Sequence, residues 1–516
     1  MPTESVVIGG VRQPVIQVQK QADLNQYVVI SYSQGYNSNQ FNGSNTDACQ
    51  FKIERSSMPG PIKQAMVRFK LTAGSTSVQL APTPYWLSRI EVWQNSDREI
   101  QRIYNDELYF MNLVSTPANK LRTTKKQLNL NADYGNYYNC ETLAANATGY
   151  YYLPIPSTWL EMSNPNMQYI NGDLWLRLYP AGTPINTDGV TGHTPTLGEV
   201  AIVYQTQRLS AEGKQVQMQL HKEPRSHIML HPIVVPTAAQ SYAPSTTYQQ
   251  TLEAVIGKCP LILWSLRPGN SNASLQVLQN VDIGDNSTVQ VCTPSGQDIL
   301  FNGSPAKVQA TRWFVQDEFV NPDFANDRNW NMLSFSNNVN ASILGRIDGF
   351  VQFDGSKYQF NINTAAAGTA EVQTVTLSQA ATAGDNYSIC FRGQCSAQLA
   401  YNASTSAMAT AFNGLLSAIN HPNGPLQATF SATAAAGTSL TVTITGANGN
   451  IVAVDDLVTL QVDSNTAGNT MTTSTSITQF AVPGFPTTGT YQLILYAFVF
   501  ANVYLDTNGS LKRIIM

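Results

Sequence analysis

Short β-type runs closed by turn residues recur along this chain, and long helical patterns are almost absent. "QYVVISYSQGYN", "ACQFKIERS", "QAMVRFKLTAG", "SRIEVWQNS", "GDLWLRLYPAG" and "GEVAIVYQTQRL" occupy residues 26 to 209, and most end at Gly, Asn or Ser. The style repeats later in "HIMLHPIVVP", "CPLILWSLRP", "STVQVCTPSGQDILF", "GRIDGFVQFDG", "KYQFNIN" and the terminal "TYQLILYAFVFANVYLDTNGSLKRIIM". β-branched and aromatic runs bounded in this way predict strands. In each half a strand, a polar turn (Asn95-Ser96-Asp97 or Ser295-Gly296), a second strand and a short helix follow one another. The helices are expected at 106 to 114 and 304 to 316. Strands at this spacing, with long loops between some, predict two consecutive sandwiches of the jelly-roll kind. The Pro-flanked "LHKEPRSHIMLHP", near residue 225, is the expected junction.

The second half is interrupted. Asp354-Gly355 is a strong hairpin signal, expected to join Val351 and Phe353 to Tyr358, Phe360 and Ile362. After Thr364 the chain turns small and polar for roughly a hundred residues, then ends on a near-continuous apolar run from Leu493 to Phe500. Within 364 to 477, "AEVQTVTLS", "NYSICFRGQCSAQLAYN", "LQATFS" and "SLTVTITGANG" read as strands. "SAMATAFNGLLSAIN" places Met408, Phe412, Leu415 or Leu416, and Ile419 on one helical face. That is an α+β module with its own core, inserted in a loop of the second sandwich, and its ends must lie close together. The final strand then completes the parent sheet with both of its faces covered.

Chemistry is hard to find. His227 and His231 lie four apart on an expected strand, where such residues share a face, so with His221 a metal site is conceivable. Loop and strand-edge histidines are the plainer reading, and His193 and His421 stand alone. The motifs of zinc proteases, serine hydrolases, P-loops and dinucleotide folds do not occur. Asp317 and Glu318, with Trp313 and Trp330 as sugar platforms, are the best glycosidase candidates. Adjacent strand residues point to opposite faces, however, so that pair cannot flank one bond. "GDNS" (284 to 287) and "DTNG" (506 to 509) are turns without the ligand spacing of a calcium loop. The nine Asn-x-Ser/Thr triplets, Asn146 and Asn402 among them, are expected by chance in so Asn/Ser/Thr-rich a chain.

Six cysteines are scattered without metal spacing, so isolated buried thiols are expected for Cys49, Cys140, Cys259 and Cys292. Cys390 and Cys395 flank a turn, and that pair alone is open to bridging. Charged residues make up 12% of the chain, about half the usual ~25%. A surface covered by neighbouring copies can dispense with charge; so can a secreted β-rich protein with neutral polar loops. Net charge is −4, so no global basic field for nucleic acid exists. Lys120, Arg122, Lys125 and Lys126 form one local cluster, read as a solvated loop. The N-terminal stretch lacks a basic region followed by an apolar core, which predicts no export signal. The longest apolar run, Leu493 to Leu505, has thirteen residues, short of the ~20 a spanning helix needs.

Several stretches resemble one family. "NWNMLSFSNNVNASILGRIDGFVQF" (329 to 353) resembles the late second-roll segment of the double jelly-roll major capsid proteins of tailless icosahedral DNA viruses. There an aromatic-Ser strand (here Phe335-Ser336) leads through Gly (Gly345) to an Arg-Ile-Asp strand (Arg346-Ile347-Asp348). "LILYAFVFANVYLDTNGSLKRI" is similar to the family's terminal strand pair, and "IEVWQNSDREIQRIYNDELYF" to its first-roll strand pair and helix. The usual Cys and Pro landmarks of the aromatic-Ser segment are missing. The resemblance implies an all-β fold of two tandem eight-stranded antiparallel jelly rolls with a small α+β module inserted in a loop of the second. Its division is an N-terminal arm (1-22), a first roll (23-225), a second roll (226-363 and 478-516) and an inserted tower module (364-477).

The implied function is that of a structural virion protein. Homotrimers would present six rolls as a pseudo-hexameric capsomer and tile an icosahedral shell, assembled inside the host cell. Implied partners are neighbouring capsomers, penton and minor capsid proteins, an internal membrane beneath the shell, and a host receptor met through 364-477. No catalytic residue, metal, cofactor or sequence-specific nucleic acid is expected. The alternative is a surface carbohydrate-binding or adhesive β-sandwich protein with the insert as its receptor domain.

Overall fold

The computed structural model describes residues 5–8, 11–14, 24–31, 48–53, 60–114, 121–129, 142–156, 165–181, 195–268, 283–284, 286–300, 306–308, 311, 330–343, 345–418, 426–446, 454, 456–464, 472–482, 484–485 and 488–516.

Eight strands frame the first unit, beside a short pair of Val78–Gln79 with Thr142–Leu143: β1 (Leu24–Ser31), β2 (Cys49–Ile53), β3 (Ile62–Thr72), β4 (Leu87–Gln94), β5 (Arg98–Tyr104), β6 (Thr148–Pro154), β7 (Leu174–Pro180) and β8 (Thr196–Arg208). They pair antiparallel in two four-stranded sheets, β6-β3-β8-β1 and β2-β7-β4-β5. Alternation drives the closure of one sheet on the other. Ile62, Ala65, Val67, Phe69 and Leu71 of β3 are buried while most of the residues between them are partly exposed, and Leu174, Leu176 and Leu178 of β7 do the same; the period of two turns one face of each strand inward. Trp86 fills the centre, edge-on to Phe69 and Tyr151. The helices α1 (Asn105–Val114) and α2 (Leu121–Gln127) follow β5.

A helix without a single buried residue, α3 (Ala211–Leu220), leads to the second unit; its first turn is capped by Ser210, whose hydroxyl accepts the Gly213 amide. The strands here are β9 (Arg225–Val234), β10 (Thr247–Thr251), β11 (Leu261–Pro268), β12 (Thr288–Cys292), β13 (Ala306–Lys307), β14 (Asn331–Ser334) and β15 (Gln359–Asn363), with the short helix α4 (Val339–Ile343) after β14. The eighth strand comes only after the insert. The insert itself contributes β16 (Glu371–Leu377), β17 (Asn386–Phe391), α5 (Thr405–Ala418), β18 (Leu426–Phe430), β19 (Ser439–Gly446), β20 (Thr459–Ser464) and β21 (Thr473–Gln479); β22 (Gly489–Leu505) and β23 (Leu511–Ile515) close the chain.

Numbering the eight frame strands of each unit along the chain, both units share the orders 6-3-8-1 and 2-7-4-5. In the second unit these are β14-β11-β22-β9 and β10-β15-β12-β13; there Ala239–Tyr242 and Leu511–Ile515 also pair with the eighth strand, and Ile256–Cys259 pairs with Val351–Asp354. That order is the jelly roll, two interlocked Greek keys, run twice in one chain. The last strand, β22, is the eighth strand of the second roll and sits between β9 and β11, which is why the sheet is incomplete until the chain has left and returned.

The insert builds one sheet, β18-β19-β16-β21, and a second around β17, which pairs with β20. Met408, Phe412 and Leu416 of α5 pack with Val375, Tyr387, Phe391 and Val442 in a cluster made only of insert residues. Ile419 lies outside the described residues, and β20 and β21 are two strands the sequence pattern did not announce. Its two ends run side by side: Thr369 and Val482 exchange amide hydrogen bonds at 3.1 and 2.9 Å, and the Gly368 amide donates to the Phe485 carbonyl at 3.1 Å.

Three expectations are corrected. The Asp354-Gly355 turn exists, with Gly355 at φ +80°, but it does not close a hairpin. Val351–Asp354 pairs with Ile256–Cys259, whereas β15 pairs with β10 and β12. Phe353 and Phe360 enter the same core from different sheets, so alternation is satisfied by an arch as well as by a hairpin. Arg346–Asp348 carries no strand, and the first described residues of the helix expected at 304 to 316, Ala306–Lys307, are a strand; Val308 and Thr311 are helical, and the rest of that stretch lies outside the described residues. Of the N-terminal arm, Ser5–Ile8 and Val11–Pro14 pair as a small hairpin.

Candidate functional site: the seam between the rolls

The residues most heavily invested outside the two cores are those that join the rolls. Along β22 the odd positions Leu493, Leu495, Ala497 and Val499 face the second roll's core. The even positions Tyr496, Phe498 and Phe500 belong to a cluster continuous with the first roll, together with Met229, Leu261, Leu263 and Met332. Residues 495 to 501 are therefore all buried. Both faces of the strand are covered, as its apolar run implies, and the second cover is the neighbouring roll. Each fully buried aromatic there contributes about 1.5–3 kcal/mol.

Polar latches are set into this apolar seam. Asp106, in the first turn of α1, accepts the hydroxyls of Tyr85 at 3.0 Å and Tyr496 at 3.0 Å and the Arg267 guanidinium at 2.9 Å. The Asp106 and Arg267 side chains are only 3% and 12% exposed. Two of its partners come from the second roll and one from the first, so a single carboxylate ties the units. Burial, reinforced by the Asp106 charge, pushes both phenols well above their ordinary range. The neighbouring Glu107, whose carboxylate accepts the Tyr104 amide at 3.2 Å, is driven far up by burial.

A second latch lies on β5. Glu99 accepts Arg513 of β23 at 2.7 Å and also pairs with Arg102. His231 is buried beside them, and burial followed by the Arg513 charge pushes its imidazole down to about 4. A third latch is uncharged. Gln94 donates to the carbonyls of Asn171 and Gly509 at 2.7 and 2.9 Å and accepts the Leu511 amide at 2.7 Å. Gly509 holds φ +80°, and a Cβ there would meet the Tyr169 carbonyl at 2.5 Å. The "DTNG" turn thus docks on the first roll, and the Asp506 carboxylate caps its own turn through the amides of Asn508 and Ser510.

The candidates suggested by the sequence are dispersed. His221 and His227 line one small cleft with Arg225, while His231 sits apart in the second latch. Among the described residues no group of three His, Cys, Asp or Glu side chains could hold a metal ion. Trp330 is buried, packed with the seam cluster, and offers no face to a sugar. Asp317, Glu318, Trp313, His193, His421, Cys140 and Lys120 lie outside the described residues. Arg122 and Lys125 fall in α2, whose Lys126 is exposed. Cys49, Cys259 and Cys292 are buried and take part in no disulfide, and Cys390 and Cys395 are bridged. Among the described residues no helix is long and apolar enough to cross a membrane.

Sequence reasoning passed over Asp106, Arg267, Tyr85, Tyr496 and Gln94. A signal existed: Arg267 and Tyr496 are polar tips on largely apolar strands, and buried polar tips require partners.

No family model and no curated protein sequence matches the chain. Several solved structures resemble it at low identity. PBCV-1 VP54, fitted into a cryo-EM reconstruction of the virophage Sputnik, aligns with 11% identity over 90% of this chain and 99% of its own, with a TM-score of 0.47. The mavirus major capsid protein aligns with 9% identity over 99% and 92%, at 0.42. The Faustovirus major capsid protein aligns with 11% identity over 68% and 88%, at 0.42.

Proposed function

We propose that this chain is the structural major capsid protein of an icosahedral virion, with no catalytic role. The observation that carries the reading is the identical eight-strand order run twice in one polypeptide, the two rolls locked by a buried seam into one rigid brick. A brick of two equivalent sandwiches supplies six of them when three copies close into a ring, and closed cyclic assembly is the ordinary fate of such subunits. The low charge suits lateral faces covered by neighbours. In this reading the chain divides into an arm (1-22), a first roll (23-225), a second roll (226-363 and 478-516) and a module (364-477). The paired neck and self-contained cluster of the insert support treating 364-477 as a grafted tower that projects outward and meets a host receptor. The arm lies at the inner face, and neighbouring capsomers, penton and minor capsid proteins are the partners.

Native mass spectrometry of the purified chain tests this. Homotrimers are expected, and they persist when 364-477 is replaced by a short Gly-Ser linker. A monomer that binds glycans would instead favour the adhesive sandwich, and loss of folding on replacement would refute the grafted module.

A further inference from the structure

The cleft at the junction of the rolls is chemically lopsided. His221 closes the linker helix α3, Arg225 and His227 open β9, and Ile170, Val503 and Leu511 supply apolar wall from the first roll and the terminal strands. Three nitrogen bases thus converge on a recess whose other walls carry no charge. Arg225 is held by its Nε hydrogen bond to the Leu220 carbonyl at 3.0 Å. Partial burial lowers its pKa, and among the described residues no carboxylate counters that shift. Both imidazoles are lowered: His227 by burial and then by Arg225, His221 by burial, partly offset by its hydrogen bond to the Gln217 carbonyl, and then by Arg225. A guanidinium in this position repels a metal cation. An anion would relieve all three groups at once, and apolar walls strengthen the attraction by excluding water.

We infer that this cleft binds a small oxyanion, a carboxylate or a phosphate-like group, with Arg225 as its principal ligand and His221 and His227 beside it. The site lies between first roll, linker and second roll, so an occupant would brace the junction from outside the seam, whatever the chain's role in a shell. Binding is acid-dependent by geometry. The Nδ1 of His221 lies 2.8 Å from the Gln217 carbonyl, which can only accept, so the neutral ring carries its proton there and Nε2 has none to offer. Only the imidazolium supplies a second donor. The ring also stacks on Tyr169 at 4.1 Å, which fixes its plane.

The test is calorimetry on the full chain at constant ionic strength, with sulfate, doubly charged throughout, as probe at pH 7.5 and 5.5, and acetate as the planar alternative. Saturable binding that tightens about threefold or more on acidification is expected. Arg225→Gln should weaken it about tenfold or more. His227→Gln should weaken it by a smaller factor; it makes no protein hydrogen bond among the described residues, so this variant keeps the fold if Arg225→Gln does not. Sulfate binding alone would point to a phosphate-like ligand, acetate binding alone to a carboxylate, and either supports the site. No saturable heat with either probe at pH 5.5, or affinity unchanged in both variants, would overturn it.

Discussion

Replacing Asp106 with Ala removes the acceptor that Tyr85, Tyr496 and Arg267 share. Arg267, whose side chain is 12% exposed, then loses the carboxylate at 2.9 Å, and two buried hydroxyls lose theirs. Removing one partner of a buried pair costs about 3–5 kcal/mol, far more than the net worth of the pair, because the remaining charge stays out of water. Arg267→Ala makes the complementary loss, so the double variant should cost less than the sum of the singles by about 2 kcal/mol. The measurement is urea unfolding at neutral pH followed by tryptophan fluorescence, since Trp86 and Trp264 report on the first and second cores. Wild type should lose both together, and Asp106→Ala should separate the two transitions. Singles that add within about 0.5 kcal/mol, or an Asp106→Ala cost below about 1 kcal/mol, would refute the seam as a latch.

Acid should loosen the second latch. His231 is held neutral, its folded value near 4 against an ordinary 6.5; a base depressed in the fold gives stability that is whole above about 6.5 and lost as pH falls toward 4. The loss is about 3 kcal/mol, visible as a lower melting temperature at pH 4.5 than at pH 7, and His231→Leu should remove most of that difference. Gly509→Ala forces a side chain onto φ +80° and against Tyr169, so it should destabilise by about 1–3 kcal/mol or more and release the terminal hairpin to protease. Reducing the Cys390–Cys395 bridge, which closes a loop of sequence separation 5, should cost the insert about 2 kcal/mol and leave the transitions of the two rolls unchanged.

How much of this could be read beforehand follows from where the information resides. Alternation in β3 and β7 is local and survives in the sequence, as does the helical face of Met408, Phe412 and Leu416. The apolar run of β22 even declared that both its faces are covered. It could not say by what, because the cover for Tyr496 and Phe498 comes from residues some four hundred positions away. The arch at Gly355 was misread for a related reason: a turn signal fixes the bend, but pairing partners decide between hairpin and sheet-to-sheet crossing. Asp106 and Arg267 are ordinary surface residue types, and only the tertiary seam makes them a site. The metal reading of His221, His227 and His231 failed because strand geometry aligned two of them without knowing that Arg225 lies beside the first pair and Arg513 beside the third.

Electron microscopy of the purified, full-length protein tests the central claim most directly. The account predicts three-fold particles with six lobes that tile into hexagonal arrays of about 70–80 Å spacing, set by six sandwiches in a ring, each two sheets ~10 Å apart with side chains and loops. Isolated two-lobed monomers that never associate at any concentration would contradict it.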